Sequence, residues 1–517
     1  METCSRAGTR SNLWPWGLAI HPKDMWYLVL RVLPKLLVFP HSLLKKFRKD
    51  EHVHASLIEL DTVVGVMPEL PQDTLMVIFA NLQIPDLIRA GSVSSSWHAA
   101  YTSLRDLGQY KMSQTPCLLY TSESAGENVA CLYSLVEQRE YKLTLPDPPI
   151  RSRFLIGSSN GWLVTANERS ELHLVNPITC EQIALPSVLT IEQVKPIFDD
   201  SGTINMYELS YHGGRAPEIY ALNDLREHLY FKAFVFPDLS TGSYIVVLIH
   251  NPYHQLSFAR AGDDKWNLLP PNIRYRDCMY MDGLLYALTS LGEIHAFDLT
   301  ASTVTMKVIM DRVKFIHESM YIILAPWGDL LQVWRIVDHP MHEEHDAPGI
   351  VYHPGQEVWR IVNHPEHEEE DCDAPGILNH PDQEDEDGDA PGIVNAPEQE
   401  DECVRYITKK IIVYKVDMAA KQLVKINSLP HHILFLGHNQ THCLGAAEHP
   451  QLKANHAYFT DDHDKLIMLL KNHTRDIGVL NLENSRRKEI VSQIWSNWPS
   501  PTWIIPNLTK MNLAFCK

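Results

Sequence analysis

The chain has 517 residues, 45% of them hydrophobic, with 12 Trp and 20 Tyr, too long for one ordinary domain and too apolar to stay unfolded. Its net charge of −19 is local: residues 338–402 hold 21 Asp or Glu against the single base Arg360, so the rest is near neutral and no nucleic-acid surface is implied. The nine cysteines stand singly from Cys4 to Cys516 without a C-x-x-C pair, which excludes a spelled-out zinc ribbon or dithiol site and points to free thiols in the nucleus or cytoplasm.

Residues 1–66 form a basic, partly apolar extension. The run Trp26–Phe39 is interrupted by Arg31, Pro34 and Lys35 and falls short of the ~20 residues of a membrane-spanning helix, so no transmembrane span is predicted. Lys45-Lys46-Phe47-Arg48-Lys49 has the composition of a nuclear import signal, a pattern frequent by chance.

Residues 67–108 predict three short helices. Leu70-Pro71 leads into the first, where Leu75, Ile78, Phe79 and Leu82 recur at i, i+3, i+4 and i+7 as one stripe. A second starts at Pro85-Asp86, with Leu87 on its apolar face. Val93 and Trp97 follow at i, i+4, after Ser92 as candidate cap of a third. So small a helical trio buries little among its own members, so its apolar side chains call for cover from another protein.

From 115 to 337, and again from 403 to 517, short apolar runs are broken by Gly, Pro, Asn and Asp. Trp162–Thr165, Tyr244–Ile249, Leu284–Leu288, Ile294–Phe297, Tyr321–Leu324, Leu330–Trp334, Ile411–Val416 and Ile467–Leu470 read as strands. The pairs Asn160-Gly161, Asp282-Gly283 and Gly328-Asp329 mark turns between them. Strands in close succession without helical periodicity predict a β-propeller-like domain in two parts, 115–337 and 403–517, with a pair of β-sandwiches as the rival; the number of blades is not countable. The fold class expected is thus mainly β with a small α domain in front. Between the parts lies the acidic insert 338–402. There Val333-Trp334-Arg335-Ile336-Val337 returns as Val358–Val362 and Asp-Ala-Pro-Gly-Ile appears three times, a charged repeat expected to be disordered.

The helical segment resembles the F-box: Leu70-Pro71, Leu75, Ile78-Phe79, Leu82, Pro85-Asp86-Leu87, Arg89-Ala90, Val93-Ser94 and Trp97 match its pattern. The resemblance implies docking to a Skp-family adaptor and through it a cullin. It names Leu70, Pro71, Leu75, Ile78, Phe79, Leu82, Pro85, Leu87, Val93 and Trp97 as the adaptor interface or its immediate support. The β segments are similar to plant F-box proteins carrying a domain of unknown function 295, by Gly157–Thr165, Leu174–Thr179 with Leu185-Pro186, Ala259–Asp263 with Trp266, Gly283–Leu288 with Asp298-Leu299, Phe435–Asn439 and Tyr458–Asp462, in that order. That resemblance implies a receptor for a target protein which the sequence does not name.

Catalysis is not indicated. Gly157-Ser158-Ser159-Asn160-Gly161 fits G-x-S-x-G, but a strand rather than a helix follows, so a β-turn is expected. His339, His342 and His345 fit no zinc-protease spacing, His431, His432, His438 and His442 read as loop and strand residues, and Asp461-Asp462 with Asp464 lacks the other ligands of a calcium loop. No cofactor or metal is called for. The chain is expected to be a non-catalytic substrate-recognition subunit of a ubiquitin ligase. The alternatives are an F-box scaffold working without ubiquitin transfer and an enzyme with its site at the propeller mouth.

Overall fold

The structure, a computed structural model, describes residues 70–211, 215–238, 242–300, 303–313, 319–338, 407–462, 474–491 and 493–508. The extension 1–66, the strand call at Ile467–Leu470 and all of the acidic insert beyond Asp338 lie outside these residues.

Three helices open the described chain: α1 (Gln72–Phe79), α2 (Ile84–Gly91) and α3 (Ser95–Asp106). Pro85 stands in the first turn of α2, where a missing N–H costs nothing. The cap of α3 is Ser94, whose hydroxyl accepts from the Trp97 N–H at 3.3 Å, rather than the Ser92 expected from sequence. Ser92 instead ends α2 and donates back to the Ile88 carbonyl at 2.8 Å.

Seven sheets follow, and six of them close a ring. Sheet I has Cys117–Thr121, Val129–Ser134 and Arg139–Thr144. Sheet II has Phe154–Ser159, Trp162–Ala166, Leu172–Asn176 and Glu181–Ala184. Sheet III has Tyr230–Asp238, Ser243–His250, Gln255–Arg260 and Asn267–Leu269. Sheet IV has Tyr275–Met281, Leu284–Thr289, Ile294–Asp298 and Thr305–Met310. Sheet V has Ser319–Leu324, Leu330–Asp338, Ile407–Asp417 and Gln422–Ile426. Sheet VI has five strands, with His432–Leu436 antiparallel to His442–Gly445 and parallel to His456–Phe459. The insert thus joins two neighbouring strands of sheet V, the first of which contains Val333–Val337.

Successive side chains of a strand point to opposite faces, and here both faces are covered. Leu118 and Tyr120 pack with Ile433, Phe435 and Tyr458 of sheet VI, whereas Leu119 packs with Leu163 and Val175 of sheet II. Val246 and Leu248 face sheet II, whereas Val247 and Ile249 face Leu285 and Phe297 of sheet IV. Sheets IV and V share Leu288, Ile294, Ile322 and Trp334; sheets V and VI share Leu331, Val333, Leu434 and Phe459. Six apolar layers alternate with six sheets, which makes a six-bladed propeller of the described residues. Thr502–Ile504 closes it by pairing antiparallel with Cys117–Leu119 of the first blade. The seventh sheet, Val194–Phe198, Ile204–Leu209 and Glu218–Ala221, takes no place in the ring. It adds Val194, Tyr207 and Leu209 to the II–III layer, while the first strands of blades II and III lie side by side.

The axis is filled from within. The Gln440 N–H donates to the Ser158 carbonyl of blade II at 2.7 Å. The Lys232 ammonium of blade III donates to the Gly437 carbonyl at 3.1 Å and to Asp277 of blade IV at 2.9 Å. The other Asp277 oxygen accepts from the Ile322 N–H of blade V at 2.9 Å. Gly157 is required by this closeness: a Cβ there would stand 2.4 Å from the Ala233 carbonyl oxygen.

Lys232 and Asp277 are almost fully buried, so Lys232→Met should cost about 3–5 kcal/mol by stranding the carboxylate. Lys232→Met with Asp277→Asn, which keeps an acceptor for Ile322, should recover part of this in chemical denaturation. His250 is fully buried and bonded to the Asn251 carbonyl and the Ser257 hydroxyl, both at 2.8 Å; burial pushes its imidazole from 6.5 down to about 4. The unfolded chain therefore takes up the proton first. Stability should be full above pH 6.5 and fall by about 3 kcal/mol from this group as pH drops toward 4. His250→Gln should flatten that slope.

Candidate adaptor face and propeller mouth

The helices are not free-standing. Leu75 and Phe79 of α1, Leu87 and Ala90 of α2 and Leu104 of α3 belong to the same apolar layer as Leu119, Leu132 and Leu143 of blade I and Leu163 and Val175 of blade II. Phe79 meets the edge of the Trp97 ring with centroids 5.4 Å apart. The connection to blade I is strapped on: the Tyr110 hydroxyl donates to the Leu82 carbonyl at 2.6 Å, and Gln114 accepts from the Ile84 N–H at 2.8 Å. Arg89 is buried and donates to Asp86 of its own helix, to Glu137 at 3.1 Å and to the Tyr141 hydroxyl of blade I. Burial raises the Glu137 carboxyl above its ordinary value, and the Arg89 charge opposes this.

The ten residues named for the adaptor therefore divide. Leu75, Phe79, Leu82, Pro85 and Leu87 are buried inside this chain. They pack against blades I and II, which corrects the reading of the trio as covered only by an outside protein: this chain covers one side itself. Leu70 is 44% exposed, Pro71 is exposed, and Ile78, Val93 and Trp97 are half-buried. Val77, 59% exposed on α1, was missed because it lies off the 3–4 stripe. The run Leu75-Met76-Val77-Ile78-Phe79 carried that signal, since a helix apolar all round is covered on more than one side.

At the other candidate site, the ends where the innermost strands of blades II and III begin meet the C-terminal segment. Phe154, Tyr230, Phe231, His438, Trp498 and Pro499 line an apolar recess. Phe231 stacks on His254 at 4.2 Å, and the Arg276 guanidinium lies 5.9 Å from its ring centre.

The residues weighed for catalysis fold as structure. Gly157–Gly161 spans the end of one strand and a turn, with Asn160 and Gly161 both at positive φ (50° and 83°). The Ser158 hydroxyl donates to the Trp503 carbonyl, and that of Ser159 donates to the Val235 carbonyl at 2.6 Å, so neither points at a base. Asp461 and Asp462 pair with Arg475 and Arg335. Arg335, which sequence reading passed over, is buried between blades V and VI and also holds Asp476 at 2.9 Å. The His432 ring lies tilted against Trp327 with centroids 4.4 Å apart, and burial lowers the His442 imidazole to about 4. No group of three or more His, Cys, Asp or Glu among the described residues is placed to hold a metal. His339, His342, His345 and Asp464 lie outside them. No helix among the described residues is long and apolar enough to cross a membrane.

Comparison with known proteins agrees with this architecture. Residues 132–481 match the KIB1-4 beta-propeller. The chain belongs to the KIB1-4 β-propeller family. Residues 67–105 match the F-box domain, so α1–α3 are an F-box. The chain is similar to the F-box protein KIB4 of Arabidopsis thaliana, 28% identical over 244 residues, 45% of this chain and 59% of that protein. It is also similar to the putative F-box protein At5g55150 of the same plant, 23% identical over 52% of this chain and 66% of that one. These alignments span less than two thirds of either relative. TolB from Acinetobacter baumannii aligns with a TM-score of 0.20 and 11% identity, over 47% of this chain and 64% of TolB, too slight to carry an argument. The family match bears the description KIB1-4, and the domain of unknown function 295 is not named by it.

The F-box of this KIB1-4-type chain should respond differently on its two sides. Leu87→Ala, in the shared layer, should destabilise by about 2–5 kcal/mol. Val77→Ala, outside it, should stay within about 0.5 kcal/mol. Thermal or urea unfolding of the full chain reads both.

Proposed function

We propose that the chain is the substrate-recognition subunit of a Skp–cullin–F-box ubiquitin ligase, non-catalytic itself, with the F-box on the adaptor and the propeller on a target. The observation that carries this reading is the two-sided F-box. One side is sunk into blades I and II, while Leu70, Pro71, Val77, Ile78 and Trp97 remain wholly or partly open on the other. Mechanism is then placement: a lysine of the target is held at high effective concentration beside the charged ubiquitin carrier, and the chain breaks no bond. The kinship with the domain of unknown function 295 and a nuclear or cytoplasmic location belong to the same reading. The latter is supported by free thiols at Cys117, Cys131, Cys180, Cys278 and Cys443.

The enzyme alternative calls for convergent His, Asp or Glu side chains at one end of the propeller channel. Here the axis is occupied by Gly437–Thr441 bonded to the innermost strands. The scaffold alternative shares the F-box and differs only in outcome: target turnover would not depend on cullin activity.

Leu70→Ala with Pro71→Ala should lower adaptor co-purification by at least about 30-fold, as expected for anchor residues worth 2 kcal/mol or more. The melting of the propeller should stay unchanged. Undiminished recovery of adaptor with the double variant would contradict the proposal.

A further inference from the structure

Resting on that reading and deepening it, the geometry points to Arg89 as a positioning residue: it locks the F-box onto blade I so that adaptor face and propeller keep one orientation. An apolar layer holds helices against a sheet but has no directional bonds, so it resists separation more than rotation or sliding. Arg89 supplies the direction. Its guanidinium lies 5.0 Å over the Tyr141 ring while donating to the Tyr141 hydroxyl, to Glu137 and to Asp86. Tyr141 in turn donates to Glu137 at 2.5 Å, and the Glu137 N–H is held by the Ser134 hydroxyl at 3.2 Å. Every acceptor is therefore fixed by its own element, α2 on one side and the Val129–Thr144 hairpin on the other. The arrangement uses the planar fork of arginine, which an ammonium does not reproduce. A ligase that works by placement gains from such a lock, because a swinging receptor spreads the target lysine over a larger volume and lowers its effective concentration.

The test uses the full chain with spin labels at Leu107→Cys at the end of the F-box and Met418→Cys on blade V, both exposed positions. Cys4, Cys180, Cys372, Cys403 and Cys516 are changed to serine. Arg89→Ala should widen the label-to-label distance distribution by about two-fold, and Arg89→Lys should fail to restore it, because a point charge cannot serve three acceptors in a plane. Adaptor recovery should hold at the parent level. An unchanged, narrow distribution in Arg89→Ala would overturn the proposal. If that variant does not fold, Glu137→Ala, which removes the acceptor shared by Arg89 and Tyr141, carries the same test with the same two outcomes. Failure of the parent chain to recover adaptor would sink the receptor reading instead, and the distances would still report on the lock.

Discussion

One shared apolar layer governs the arrangement of this protein: F-box side chains and the faces of blades I and II bury one another. Three helices of this size lack the surface to stabilise themselves. By merging Leu75, Phe79, Leu87 and Leu104 with Leu119, Leu132, Leu143 and Leu163, they borrow the core of the propeller. The same merger decides which F-box residues are left for another protein. It leaves Leu70, Pro71 and Val77 exposed.

The propeller is suited to this because its own stability is closed. Inner strands such as Cys117–Thr121, Trp162–Ala166 and Ser243–His250 are buried on both faces, while outer ones such as Gln422–Ile426 are open, and the last described strand, Thr502–Ile504, completes the first blade. Charges inside are paired across blades: Lys232 of blade III with Asp277 of blade IV, and Arg335 of blade V with Asp462 and Asp476 from the blade VI region. Such pairs add little net stability, but each fails badly if one partner is removed, which ties neighbouring blades into one register.

Much of this was readable from the chain. Apolar runs such as Tyr244–Ile249 gave their strands because both faces are covered and no alternation interrupts them. Asn160-Gly161 and Asp282-Gly283 gave their hairpins because a tight turn needs positive φ at both positions, and both pairs have it. Blade number was not readable, because it depends on long-range closure and on a three-stranded sheet that local pattern cannot distinguish from a blade. The helical stripe was legible, but its destination was not. Periodicity shows that Leu75, Phe79 and Leu82 are buried, and is silent on whether the cover is a partner or the chain's own blades. The Ser92 cap was missed by two residues because Ser92 and Ser94 both stand before the helix. The burial of Arg335 and Arg89 was not readable, since it is defined by partners distant in sequence.

The central claim is that the F-box has one side sealed by this chain and one side reserved for the adaptor. Hydrogen exchange of the full chain, measured alone and with purified adaptor, tests it directly. The account predicts that the amides of Ile84–Gly91 are already protected in the free chain, and that adaptor adds protection at residues 70–81 and 93–99. Exchange in Ile84–Gly91 that is fast alone and slows only with adaptor, or no added protection at residues 70–81, would contradict it.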